Sequence, residues 1–143
     1  MPLLELPVVL QRTEHSCGSA VFACVTHYWE LKRRRIKADP WNGKHPMELE
    51  PDFRKLGYHT FSGTMSLDHL KAVVATGTPV CCLVQSEGCG HWVVVAGVMR
   101  GRVYFMDPAH GNRSLPVTEW ESRWHDSDRQ GTVFRRHGLA VWC

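Results

Sequence analysis

The chain has 143 residues, the size of one domain and too few for two independent cores. Hydrophobic residues make up 43% and charged residues 22%, a globular composition that excludes a disordered chain. Lys and Arg number 17 against 14 Asp and Glu, and the resulting net charge of +3 is too weak to imply a nucleic-acid partner.

The start, Met1-Pro2-Leu3-Leu4-Glu5-Leu6-Pro7, has no basic region, and Pro and Glu interrupt its apolar stretch, so it does not read as a signal peptide. Val8-Val9-Leu10 reads as a short extended segment. From Ser16 the pattern turns helical, because Ala20, Val21, Cys24, Val25, Tyr28 and Trp29 form one continuous stripe. Ser16 is the expected N-cap, which makes Cys17 the first helical residue. The helix should fade into Lys32-Arg33-Arg34-Arg35. The plain reading of that run is a solvated helix end whose cations suit the C-terminal dipole, and binding to an acidic partner or phosphate is the other.

Asp39 to Pro46 is rich in Pro, Gly and Asn and reads as a loop. Pro46 to Leu56 reads as a helix stopped by Gly57. Ser66 should cap a second short helix, with Leu67, Leu70, Val73 and Val74 on one face, Gly77 at its end and Pro79 beyond. From Val80 the period changes. Val80–Val84, Trp92–Val98 and Val103–Met106 read as strands, separated by turns at Ser86–Gly90 and Arg100–Arg102. Leu115 to Thr118 leads into a helix carrying Trp120 and Trp124, and Thr132–Phe134 and Leu139–Trp142 read as closing strands. The fold class is therefore α+β, an N-terminal helical half on a C-terminal antiparallel sheet.

Six cysteines and nine histidines stand out. The adjacent Cys81 and Cys82 would point to opposite faces of a strand, and a chain of this length needs no bridges, so free thiols in a reducing cytoplasm are expected. Cys24 and Cys82 read as core thiols, and Cys89 as a cleft-rim residue. No cysteine pair has the Cys-x2-Cys spacing of structural zinc, so neither a metal nor another cofactor is expected, although His15, His27, His45 and His110 are potential ligands. The longest apolar run, Trp92 to Met99, is strand-length rather than a membrane span, and Cys143, as the last residue, is no lipidation signal.

Two segments carry chemistry. In Gln11-Arg12-Thr13-Glu14-His15-Ser16-Cys17-Gly18, a Cys in the first turn of a helix meets unpaired N–H groups and the positive dipole end, which stabilise a thiolate. Gly18 leaves the sulfur open to approach, and Gln11 with the Cys17 N–H could form an oxyanion hole. In Gly90-His91-Trp92-Val93-Val94-Val95, a His opens an apolar strand. A hairpin through Gly101 would bring Asp107 of Met106-Asp107-Pro108 back to the same end, provided a bulge or slanted register closes the length difference. Asp107 could then fix the imidazole tautomer. Taken singly, each element has a plainer reading: a buried Cys, a surface Gln, a bystander His, a simple Asp-Pro turn.

Together, Gln11 to Gly18, Gly90 to Val95 and Asp107-Pro108-Ala109 resemble the papain-like, bacteriocin-processing double-glycine leader peptidases, over nearly the whole chain. Ser66 to Leu70, Gly77 to Val80 and Pro108 to Gly111 with Glu119-Trp120 occupy matching places. Two local departures are Ser16, where an Asp is common, and Glu30 after Tyr28-Trp29, where a Gly is common. The resemblance implies a papain-like cysteine peptidase without cofactor, in which Cys17 is nucleophile, His91 general base and acid, Asp107 its orienter and Gln11 the oxyanion donor. It implies a leader-bearing precursor peptide as substrate, cut after Gly-Gly. The sequence is expected to be a stand-alone cytoplasmic domain that associates with a separate exporter. A papain-like acyltransferase or deamidase, and a non-catalytic peptide-binding module, are the alternatives.

Overall fold

The computed structural model describes residues 3–36, 44–86, 88–128 and 130–143. The expected loop at Asp39–Pro46 falls largely outside them.

The apolar stripe forms α1 (Cys17–Glu30), and it stops where Leu31 turns left-handed at φ 57° and returns its N–H to the His27 carbonyl. Helix α2 (Pro46–Lys55) starts at His45: Nδ1 accepts from the Met47 N–H at 3.0 Å, and the Glu48 carboxylate accepts from the His45 N–H at 3.2 Å. Pro46 sits at the first helical position, where its missing N–H costs nothing. Ser66 caps α3 (Leu67–Ala75) by accepting from the His69 N–H at 3.0 Å. A short α4 (Val117–Arg123) follows the last of the central strands.

The strands are β1 (His59–Thr64), β2 (Val80–Ser86), β3 (Cys89–Met99), β4 (Arg102–Asp107), β5 (Gly111–Pro116), β6 (His125–Ser127), β7 (Val133–Arg135) and β8 (His137–Trp142). Six of them form one antiparallel sheet in the order β1-β8-β2-β3-β4-β5, and β6 pairs with β7.

The N-terminal helical half packs on the antiparallel sheet as expected, with α1 and α2 on one face, and α3 and α4 cover the other. One core packs Val21, Phe22 and Val25 of α1 and Phe53 of α2 against Cys81, Trp92, Val94 and Met106. The other packs Leu70 and Val74 of α3 and Trp120 of α4 against Cys82, Val93, Val95 and Phe105. Cys81 and Cys82 fall in different cores, as strand alternation requires. Each fully buried Val or Phe contributes about 1.5–3 kcal/mol relative to exposure.

Three strands differ from the sequence reading. β1, β5 and β6 lack an apolar period, and they form because the neighbouring β8, β4 and β7 offer backbone partners. β3 also begins at Cys89, so His91 sits inside the ladder, paired with Val84. Ser16 holds the N-cap position without capping. Its Oγ instead accepts from the Arg12 and Thr13 N–H groups, both at 2.9 Å, and donates to the Thr13 carbonyl. The hydroxyl closes the preceding loop and leaves the first-turn N–H groups of α1 without a side-chain cap.

Candidate active site

Cys17 lies at the first turn of α1 and is 7% exposed. His91 lies near the start of β3, and Asp107 ends β4. The β3–β4 hairpin turns at Arg100 and Gly101, both at positive φ (54° and 73°), the geometry a tight hairpin requires. His91 is ten residues before Gly101 and Asp107 six after it. A bulge between Val95 and Gly97 takes up one residue of that mismatch and sets Val94 opposite Met106. Extended, that register places Asp107 opposite Val93, with His91 two residues on and on the same face of the pleat.

His91 Nε2 and Asp107 Oδ1 are 2.6 Å apart. Nε2 therefore belongs to Asp107, which leaves Nδ1 to face Cys17. Burial works against a charged ring here. Hydrogen bonds to Asp107 and to Cys17, with the charges of both, outweigh it and lift His91 to about 9. Asp107 is 2% exposed and fully served: Oδ1 also accepts from the Ala109 N–H at 2.8 Å, and Oδ2 from Arg113 Nη1 at 3.1 Å. Its burial alone would raise the carboxyl, but His91, the Ala109 N–H and Arg113 together hold it below the usual range.

Gln11 is tied to the same turn, since its backbone N–H donates to the Pro108 carbonyl at 2.9 Å. Its side-chain Nε2 donates one hydrogen to the Thr13 carbonyl at 2.8 Å, and its buried Oε1 has no hydrogen-bond partner. All four residues singled out in the sequence thus belong to one locality. The other thiols sit in different settings. Burial pushes Cys24 to about 12 and raises Cys81 and Cys82, while Cys89 is exposed. Among the described residues, no group of three His, Cys, Asp or Glu side chains is arranged to hold a metal ion.

Sequence reasoning missed Arg113, Lys44 and Asp126. Lys44 packs so closely on α1 that a Cβ at Gly18 would lie 2.5 Å from the Lys44 Cβ. Its carbonyl accepts from Trp92 Nε1 at 2.8 Å, and its ammonium pairs with Asp52 at 2.8 Å. Gly18 therefore serves this close approach beside the thiol. Asp126 lies against Gly90, where a Cβ would meet its Oδ2 at 2.1 Å, and it also accepts from Gln85 at 3.0 Å. Gly90 lets β6 press on the strand beside His91. The paired glycines next to Cys17 and His91 were the available signal, though neither names its partner.

A thiol at a helix start, an imidazole on a sheet strand and a buried carboxylate behind it, on this mixed fold, define a papain-like cysteine peptidase. The chain belongs to the peptidase C39 family, which matches residues 5–127. It is similar to the probable functional amyloid protease FapD of Pseudomonas fluorescens, with 26% identity covering 82% of this chain; the match spans 57% of that relative's length. Among solved structures it resembles a double-glycine-motif protease from an AMS/PCAT transporter, in complex with the leader peptide. The TM-score is 0.76, with 20% identity, 97% of this chain covered and 92% of that one. It also resembles the peptidase domain of Streptococcus mutans ComA, with a TM-score of 0.64, 17% identity, and 95% and 98% of the two chains covered. At these identities the two structures bear on the fold.

Proposed function

We propose that the chain hydrolyses a peptide bond after a Gly-Gly leader motif through a thioester on Cys17. The observation that carries this reading is the position of His91, held between Asp107 at 2.6 Å and Cys17. With its imidazole lifted to about 9, His91 is an imidazolium at neutral pH beside the sulfur. That arrangement supports a thiolate–imidazolium pair.

The Cys17 sulfur attacks the carbonyl carbon. The oxyanion is held by the first-turn N–H of Cys17 and by the second N–H of Gln11 Nε2. His91 passes its proton to the leaving amine, and the C–N bond breaks. The neutral imidazole then takes a proton from water, whose oxygen attacks the thioester and releases Cys17. Asp107 orients the ring through Nε2 and stabilises its cation.

The Gly-Gly specificity and the leader-bearing substrate rest on the family and on what the similar proteins act on. A place in the cytoplasm beside a separate exporter, and action as one self-contained domain, belong to the same proposal. Among the described residues no helix is long and apolar enough to cross a membrane. The test is cleavage of a Gly-Gly-containing peptide, followed by product mass. Wild type should release a free carboxylate after Gly-Gly, and Cys17→Ala should release none. Cleavage that survives Cys17→Ala would overturn the assignment.

A further inference from the structure

The basic run Lys32–Arg35 is largely exposed, but it does not continue α1. After Leu31 turns left-handed, the chain doubles back along the outside of the helix. The Arg34 N–H donates to Thr26 Oγ1 at 2.9 Å, and Ser19 Oγ donates to the Ile36 carbonyl at 3.3 Å. The run therefore climbs about two helical turns, from Thr26 to Ser19, and ends beside the first turn that carries Cys17. From the other side, the segment before α1 brings Arg12 to the same place, and Arg33 Nη2 approaches the Val8 carbonyl at 3.5 Å.

Between these segments lies a groove of about 460 Å³. Val9, Ala20 and Ala23 contribute apolar surface, and Gln11 and Ser16 border it on the side of the proposed oxyanion hole. Arg12, Arg33, Arg34 and Arg35 line it, and no carboxylate does among the described lining residues. Of these four, only Arg34 has a carboxylate partner among the described residues, Glu30 at 3.0 Å.

We infer that this groove docks an acidic stretch of the peptide substrate and so feeds the chain to Cys17. The inference rests on the peptidase reading for its direction and on the groove's own charge for its chemistry. Planar guanidinium groups match carboxylates by two parallel N–H···O bonds, which a lysine cluster would not provide. The aliphatic arginine stems and the apolar floor supply contact for an extended backbone. A basic groove that ends at the proposed oxyanion donor also raises the local concentration of an acidic peptide at the nucleophile.

The test uses fluorogenic Gly-Gly peptides whose flanks carry either Glu and Asp or their neutral isosteres Gln and Asn, with the charged flank placed before or after the scissile bond. Wild type should show kcat/KM roughly tenfold higher for one acidic placement, the scale of two or three exposed ion pairs, and the ratio should shrink in 0.5 M salt. Arg33→Gln with Arg35→Gln should bring the ratio near one. Arg33→Glu with Arg35→Glu should invert it in favour of a Lys-flanked peptide. Lys71→Gln, on the exposed side of α3, should leave the ratio unchanged. The second readout is fluorescence anisotropy of the labelled acidic peptide on Cys17→Ala, which needs no turnover. Charge-dependent binding there without cleavage by wild type would count against the peptidase reading alone. Cleavage with no charge preference at either flank, or a ratio unmoved by Arg33→Gln with Arg35→Gln, would overturn the groove.

Discussion

Asp107→Asn isolates the charge behind His91 from the shape of the site. Oδ1 accepts from both His91 and the Ala109 N–H, so an asparagine can keep its oxygen there. Its Nδ2 would then face Arg113 Nη1, donor against donor, where Oδ2 now accepts at 3.1 Å. His91 would lose the first of the groups that raise it, while the burial that lowers it remains. The lift from 6.5 to about 9 is already net of that burial, so losing the carboxylate costs roughly 3 kcal/mol, on the order of 100-fold in the imidazolium–thiolate population. The assay is kcat/KM against pH on a Gly-Gly peptide, with Tm followed by circular dichroism. Wild type should lose activity as pH rises through about 9, when His91 deprotonates. Asp107→Asn should move that limb down to pH 7 or below and reduce the pH 7 rate by about 100-fold. Asp107→Asn with Arg113→Gln should recover Tm without recovering the limb. An alkaline limb still near 9 in Asp107→Asn would refute the claim that this carboxylate holds the proton on His91.

Three further outcomes are expected. Iodoacetamide at near-neutral pH should label Cys17 well before the other five cysteines, and Cys17→Ala should keep its Tm; equal labelling with exposed Cys89 would remove the case for a privileged thiol. Gly18→Ala should push Lys44 away from α1 and strain the Trp92 and Asp52 contacts, costing about 1–3 kcal/mol and lowering Tm by several degrees, measurable by calorimetry. Arg113→Gln takes a cation from Asp107, whose folded-state carboxyl is depressed below its unfolded value of about 3.9. Stability from this group is present above that value and lost as pH falls below it. Acid unfolding of Arg113→Gln should therefore begin a few tenths of a pH unit higher, and an unchanged midpoint would show that Arg113 is not coupled to Asp107.

Much of the site is local and was legible as such. The stripe from Ala20 to Trp29 makes a helix by its 3.6 period, which puts Cys17 at its start. Alternating apolar runs around Arg100-Gly101-Arg102 make a hairpin, which returns Asp107 toward His91. The bulge that the length difference called for occurs between Val95 and Gly97. These features follow from backbone geometry within a few residues of each other.

The rest depends on partners distant in sequence. Edge strand β1 has no apolar period to announce it, and it forms because β8 presents unpaired N–H and C=O groups. Ser16 looks like a cap, yet its hydroxyl finds two closer donors in the loop behind it. Gly18 reads as open space beside the thiol and Gly90 as part of a turn, but Lys44 and Asp126 pack against them. The run Lys32–Arg35 reads as a helix end in water, and Ser19 and Thr26 fold it back along α1. Sequence alone picked out the candidate side chains for the chemistry, because helix and strand periods are short-range. Tertiary structure decided which charges surround them, since a carboxylate or guanidinium acts on whatever lies within a few ångströms, however far along the chain.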